Sequence, residues 1–377
     1  MSLWFTASAV APELQVRWGL SASQVGWLTT AVQLGFVAGT AVAAVLNLAD
    51  LVPSRTYFAA TALLGSGANA LLLLVPDYPA ALGVRFFTGF FLAGVYPPAM
   101  KMISTWFREA RGLAIGTVVG ALTLGKASPY LFKAFPDVSL SGVVLGASGA
   151  ALLGGILVLV AYREGPFPFS RSPFSWGLVG RVVRHRPTRL AIGGYLGHMW
   201  ELYAVWVLAA PFYLAYFGGR GAWNPALGSL LMGFGVIGAG ALGSVVAGSW
   251  ADRWGRERIA SGAMVVSGIC SLSLGWLLGG PMWLVVPLGL IWGFTVVADS
   301  AQFSALVADV TPGDAVGTAL TLQTSLGFAL TGVSIQASFW MSEALGWGPA
   351  LSLLAVGPVL GIGAMRRLAG LRSEGSV

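Results

Sequence analysis

The chain of 377 residues is 56% hydrophobic and only 9% charged. A soluble domain carries about 25% charged residues, so this composition cannot furnish a water-facing surface and argues against a soluble enzyme. The formal charge of +7 does not indicate a nucleic-acid partner, because the basic residues occupy short gaps between apolar runs instead of one face of a polar domain.

An apolar stretch of about 20 residues spans about 30 Å of hydrocarbon as a helix. In chain order such stretches fall at residues 22–46, 56–76, 80–103, 111–132, 139–162, 190–216, 227–250, 259–279, 282–306, 316–340 and 346–365. Residues 1–14 form a shorter apolar run ahead of them, which reaches only about 21 Å as a helix. The pattern predicts an all-α integral membrane protein with twelve transmembrane helices, the first of them truncated. The 53 Gly and 15 Trp residues suit close helix packing in lipid and aromatic belts at the interfaces. The apolar start lacks the basic segment of a cleavable signal peptide. Cys270 is the single cysteine, which excludes a disulfide framework and a Cys-based metal site.

Counting the short run as the first helix, alternate loops on one side carry Arg55, Arg108, Arg111, Arg163, Arg171, Arg181, Arg184, Arg186, Arg189, Arg253, Arg256, Arg258, Arg366, Arg367 and Arg372, which are fifteen of the 21 Lys and Arg residues. The opposite side holds Arg17, Lys133 and Arg220. This bias places the Arg-rich side and both termini in the cytoplasm. The expected location is the plasma membrane, in a bacterium the inner membrane. Residues 163–189, rich in Pro, Ser and Arg, read as a cytoplasmic basic linker. It separates a six-helix bundle at 1–162 from a second bundle and a short tail at 190–377.

The halves repeat. Leu48-Ala49-Asp50 is matched by Trp250-Ala251-Asp252 at an offset of 202 residues, Gly89-Phe90 by Gly293-Phe294 at 204, and Pro12 by Pro211 at 199. Near-equal offsets imply a duplicated six-helix unit. Pro211 lies about 21 residues into its predicted helix and Pro12 only 12 residues from the start, so roughly ten residues of the first helix are expected to be missing.

Residues Gly248-Ser-Trp-Ala-Asp252-Arg253-Trp-Gly255-Arg256-Glu257-Arg258 resemble the loop signature G-x-x-A-D-R-x-G-R-R/K of the major facilitator superfamily of secondary transporters. The first half keeps only Ala49-Asp50 and Arg55 of this pattern, with Leu46 and Pro53 in place of its glycines. Arg85-Phe-Phe-Thr-Gly89 is similar to the family's R-x-x-x-G element. The glycines Gly116, Gly120 and Gly125 before Pro129 match the antiporter signature only weakly, and close helix packing explains them. The resemblance covers essentially the whole chain and implies two pseudo-symmetric bundles. It also implies a conformational latch, in which Asp252 faces the start of the fifth helix beside Arg108 and Arg111, Asp50 faces the start of the eleventh, and Arg256 reaches Glu109. The physics of such a latch is an acidic side chain at the positive end of a helix dipole.

Ionisable residues within a span are costly and mark partners or pathways. Arg85, Glu201 and Asp299 are such residues, and the resemblance sets all three on cavity-lining helices. Arg85 is read as a cavity or proton-path residue, with snorkelling as the alternative. His198 and Glu201, at i and i+3, share a helix face and can hydrogen-bond. A proton-coupling role and a structural clamp both fit them. Asp299 and Gln302 share a face in the same way, and Asp299 or Glu201 is a candidate partner for Arg85. Lys126 is a further candidate for solute contact, and Trp200, Tyr203, Trp206 and Trp292 are candidate walls.

No His cluster for a metal and no phosphate-binding G-x-x-x-x-G-K-S/T loop is present in the sequence, so no cofactor is expected and a gradient must drive transport. The expected activity is alternating-access movement of a small solute, with an anion slightly favoured and protons as the coupling ion, by a monomer in the lipid bilayer. A non-transporting receptor of the same fold and a membrane-embedded enzyme are the rival readings.

Overall fold

The computed structural model describes residues 1–107, 111–167, 174–221 and 224–373, without the side chains of residues 49, 50, 111 and 373. Arg108, Glu109 and Arg171 therefore lie outside the described residues. Every regular element among the described residues is helical. The first half comprises α1 (Thr6–Ala9), α2 (Ala11–Trp18), α3 (Ala22–Val45), α4 (Leu48–Leu51), α5 (Ser54–Ala70), α6 (Tyr78–Leu92), α7 (Tyr96–Ser104), α8 (Arg111–Ala134) and α9 (Leu140–Ala161). After α10 (Trp176–Arg184) come α11 (Arg186–Gly218), α12 (Pro225–Trp254), α13 (Arg256–Leu274), α14 (Met282–Ala298), α15 (Ser300–Val310), α16 (Val316–Leu345), α17 (Trp347–Ser352) and α18 (Val356–Ser373).

Short polar residues set the helix starts by satisfying N–H groups that have no partner within the helix. Ser21 and Gln24 form a capping box on α3. Asp77, Ser139 and Asn224 cap α6, α9 and α12. Ten helices or helix pairs are long and apolar enough to cross a membrane among the described residues. The 24-residue α8, which carries Lys126 and Lys133, packs along α12 in their midst. Burial sorts the spans: the central window of α11 is 78% buried, whereas that of α9 is 28% buried. The outward face of α9 presents Leu153, Ile156, Leu157 and Val160, so α9 supplies lipid-facing surface and α11 the interior.

The duplication is visible in backbone contacts. A Cβ on Gly39 would stand 2.3 Å from the Phe90 carbonyl oxygen, and one on Gly243 would stand 2.0 Å from that of Phe294. Likewise a Cβ on Gly89 would meet the Val32 oxygen at 2.0 Å, and one on Gly293 the Val236 oxygen at 1.9 Å. All four pairs are related by one shift of 204 residues. Glycine at these points lets α3 close on α6, and α12 on α14, more tightly than any side chain permits.

Several predicted elements are interrupted. The span at 80–103 is α6 and α7 with a break before Pro97 and Pro98, and the span at 282–306 is α14 and α15 with a break at Asp299. The same 204-residue shift relates Val95 to Asp299, so the breaks are equivalent. Residues 1–14 form α1 and part of α2, parted at Val10 just before Pro12. A proline in mid-helix removes an N–H and clashes with the carbonyl four residues back. The linker at 163–189 also contains order, since α10 lies within it and α11 starts at Arg186. The Ser175 N–H donates to Thr318 Oγ1 at 3.0 Å and Arg181 pairs with Asp314 at 2.6 Å, fixing α10 against the start of α16.

Between the halves, α8 packs on α12 and α3 on α16. At the end of the molecule that bears the linker, Ser244 Oγ donates to the Gly116 carbonyl at 3.0 Å. At the far end, Ser23 Oγ donates to Gln336 Oε1 at 3.1 Å and Gln336 Nε2 donates to Thr30 Oγ1 at 3.0 Å. Phe36 and Phe328 join the same two helices midway, with ring centroids 4.4 Å apart.

Candidate solute site

The most unusual side chain between the halves is Lys126. It is 4% exposed on α8 and donates to the hydroxyl of Tyr203 on α11. Its Nζ lies over three rings, at 4.6 Å from Trp4, 4.6 Å from Tyr203 and 4.9 Å from Trp206. No carboxylate pairs with it among the described residues. A desolvated ammonium gains about 2 kcal/mol from an aromatic face, so the rings hold the amine where a counter-anion would otherwise sit. Trp4 also packs on Phe36 and Phe328, at centroid distances of 5.2 and 5.5 Å. The cage is thereby built from α8, α11 and the segment leading into α1.

Across the same pocket, α11 meets the break between α14 and α15. His198 Nδ1 lies 2.8 Å from Asp299 Oδ1, and His198 Nε2 lies 3.0 Å from Ser300 Oγ. His198 and Asp299 are each 2% exposed. Because Asp299 stands where the helix is interrupted, its carboxylate reaches α11 sideways. One turn on, Gln302 is 2% exposed, and its Nε2 has no hydrogen-bond partner. It faces the cavity at the linker end.

Glu201 and Arg85 point elsewhere. Glu201 accepts from Trp292 Nε1 at 2.7 Å and from Ser267 Oγ at 2.8 Å, so its partners lie on α14 and α13 within its own half. It does not bond His198, the partner its spacing offered. Arg85 is fully buried and donates to the carbonyls of Leu3 at 3.0 Å, Trp4 at 2.5 Å and Leu28 at 3.4 Å, and to Asn69 Oδ1 at 2.9 Å. It ties the first residues to α3 and α5, and is bonded to neither Glu201 nor Asp299. Of the four candidate aromatic walls, Tyr203 and Trp206 line the pocket, whereas Trp292 serves Glu201 and Trp200 donates to the Leu353 carbonyl at 3.1 Å.

Three cavities follow the interface between the halves. The central one, of about 60 Å³, is lined by Lys126, His198, Ser300 and the cage rings. Its volume is enough for water molecules and too small for an organic solute. Tyr96, Tyr195 and Ser304 separate it from a cavity of about 330 Å³ at the linker end, lined also by Thr40, Lys101, Gln302 and Thr324. A third cavity, of about 220 Å³, opens at the far end between Pro12 and Pro211.

The loop motif lies at the linker end. Ideal Cβ atoms show how tightly α12 and α8 meet: one on Gly248 would stand 2.5 Å from the Gly112 carbonyl oxygen, and one on Gly112 would stand 2.5 Å from Asp252 Oδ1. The Asp252 carboxylate thus rests on the first turn of α8, where the helix dipole favours a negative charge. Gly255 turns the chain into α13 with φ of +87°, a conformation that strongly favours glycine. Arg253 is exposed, and Arg256 pairs with Asp309 at 2.9 Å at the end of α15. Glu109 and Arg108 lie outside the described residues, as do the side chains of Asp50 and Arg111.

Spanning helices in two related halves, with buried charges and cavities along their interface, define a polytopic helical membrane protein. The profile of the Major Facilitator Superfamily matches residues 1–334. The chain belongs to that family, whose members named below are transporters and not enzymes. It is 26% identical over 232 residues to the MFS transporter asaE of Aspergillus flavus, covering 60% of this chain and 50% of that protein. It is 35% identical over 91 residues to the niacin transporter NiaP of Acinetobacter baylyi, covering 24% of this chain and 20% of that protein. The chain thus matches about half of the first relative and a fifth of the second. The fold resembles that of a bacterial homologue of the human lysosomal transporter Spinster, solved inward-facing and unoccupied, with a TM-score of 0.66 at 15% identity over 98% of this chain and 92% of that one.

The residues that sequence reasoning missed are Trp4 of the cage with Phe36 and Phe328 packed behind it, Ser300 beside His198, and Asn69 and Ser267 as partners of Arg85 and Glu201. Asn69 carried a signal, being a lone amide inside an apolar span, which in lipid seeks a polar partner.

Proposed function

We propose that the protein is a secondary transporter that moves a small organic anion across a membrane by alternating access, coupled to protons. The observation that carries this reading is the caged Lys126 amine, a basic group within a span that is surrounded by aromatic rings and has no paired carboxylate among the described residues, at the interface of the halves. A solute with a planar body and a carboxylate is complementary to that cage: the carboxylate takes the amine and the body stacks on the rings. The local match to a niacin transporter supports the same chemistry, since niacin is an aromatic carboxylate.

Proton coupling is assigned to the His198–Asp299 pair. The pair lines up on the solute pocket through His198 and sits at a helix break, so a proton there is exchanged against a structural element able to move. The Arg-rich linker end is assigned to the cytoplasm, and the solute enters or leaves there through the cavity beside Thr40 and Thr324.

The test is uptake of niacin and of its neutral amide, nicotinamide, into proteoliposomes under an imposed pH gradient. Uptake of the acid without the amide supports the reading. Equal uptake of both, or of the amide alone, removes the anion assignment, and absence of flux for any monocarboxylate favours a receptor of the same fold.

A further inference from the structure

One face of α8 runs past all three cavities. Gly112 and Ile115 line the one at the linker end, Lys126 the central one, and Tyr130 and Lys133 the one at the far end. Lys126 and Lys133 are seven residues apart, two helical turns on the same face and about 10 Å along the axis. The far cavity is lined mainly by small and apolar side chains from both halves, among them Pro12, Ala210, Pro211 and Phe339, with Ser8, Gln15 and Ser229 as further polar groups.

Its polar groups are incompletely engaged. Lys133 forms an ion pair with Glu13 of α2, and both line the cavity, at 20% and 35% side-chain exposure. Lys133 Nζ also donates to the Val138 carbonyl at 2.9 Å. The second carboxylate oxygen, Glu13 Oε2, is buried without a hydrogen-bond partner, and the hydroxyl of Tyr130, a residue with 0% exposure, has the Ser8 hydroxyl as its neighbour. A carboxylate paired with a lysine through one oxygen only, beside a hydroxyl in a roomy cavity, is an internal ligand with one oxygen unengaged.

We propose that the Lys133–Glu13 pair is an exchangeable loading station for an organic carboxylate. The carboxylate of the solute replaces that of Glu13 on Lys133 Nζ, Tyr130 donates to its second oxygen, and its apolar body fills the space between Pro12 and Pro211. The released Glu13 turns to the water at the cavity mouth. This rests on the reading of the solute as an anion, and it adds a second cationic station two turns from Lys126 on the same helix.

The experiment is thiol labelling, which needs no transport. In a Cys270→Ser background, a cysteine is placed in the far cavity as Ser229→Cys and, separately, as Ala226→Cys. Each is reacted with a sulfonate-bearing and a trimethylammonium-bearing methanethiosulfonate, and the rate ratio is normalised to that of a free thiol. The proposal predicts a ratio favouring the sulfonate. Glu13→Gln raises that ratio, Lys133→Gln reverses it, and benzoate slows labelling where benzamide does not. Lys126→Met leaves the pattern unchanged, so failure of the central anion site and failure of this one give different results. A ratio that favours the cationic reagent, or that neither Glu13→Gln nor Lys133→Gln moves, overturns the proposal, as does equal protection by benzoate and benzamide.

Discussion

His198 on α11 meets Asp299 at a separation of 2.8 Å, at the one residue that parts α14 from α15. On the proposed reading this pair, placed at a helix interruption, carries the coupling proton. Asp299→Asn is therefore expected to abolish pH-gradient-driven accumulation while leaving solute counterflow in place. Comparing the two modes in the same proteoliposomes checks this, and retained accumulation removes the pair from the coupling step.

Glu201 behaves differently. Its two hydrogen bonds hold α13 and α14 to α11 away from the cavities, so Glu201→Gln should leave coupling intact and lower stability. Bonds of this kind between membrane helices contribute about 0.6 kcal/mol each and at most about 1.7. A fall in melting temperature with unchanged gradient-driven uptake is the expected outcome.

For Arg85 the expected loss is structural and large. Four acceptors, three of them backbone carbonyls, depend on one guanidinium. Each hydrogen bond to a charged group contributes about 1.5–3 kcal/mol, so Arg85→Ala should cost more than Asn69→Ala, and the double variant should cost less than the sum of the two. A double-mutant cycle on thermal stability measures that coupling.

At the linker end, the Gly112–Gly248 contact leaves no room for a side chain. Gly248→Val should part the ends of α8 and α12 and redistribute the conformational states. Electron-electron distance measurements between spin labels at residues 113 and 249, in the Cys270→Ser background, should show a lengthened population. Unchanged distances would mean that the contact does not hold the ends together.

The spans were legible because run length and charge suffice to recognise a helix in lipid. Their interruptions were not equally so: Pro97 and Pro98 mark the break before α7, whereas nothing in the sequence around Asp299 announces the other. Its equivalence to Val95 through the 204-residue repeat was the available clue. The candidate charges were sought within the spans, but their directions were hidden. His198 and Glu201, three residues apart, point about 60° apart around the helix, enough to face different neighbours. One turns to the central cavity and the other into its own bundle. Trp4, Phe36 and Phe328 were lost among many aromatics, because a cage exists only once the helices are brought together.

The measurement that bears most directly on the central claim is niacin counterflow by the wild-type chain and by Lys126→Met, with folding matched by monodispersity. Loss of a charge-assisted hydrogen bond of about 1.5–3 kcal/mol corresponds to a fall in apparent affinity of about ten- to a hundredfold, with nicotinamide carried by neither protein. Undiminished niacin counterflow in the correctly folded Lys126→Met variant would contradict the account.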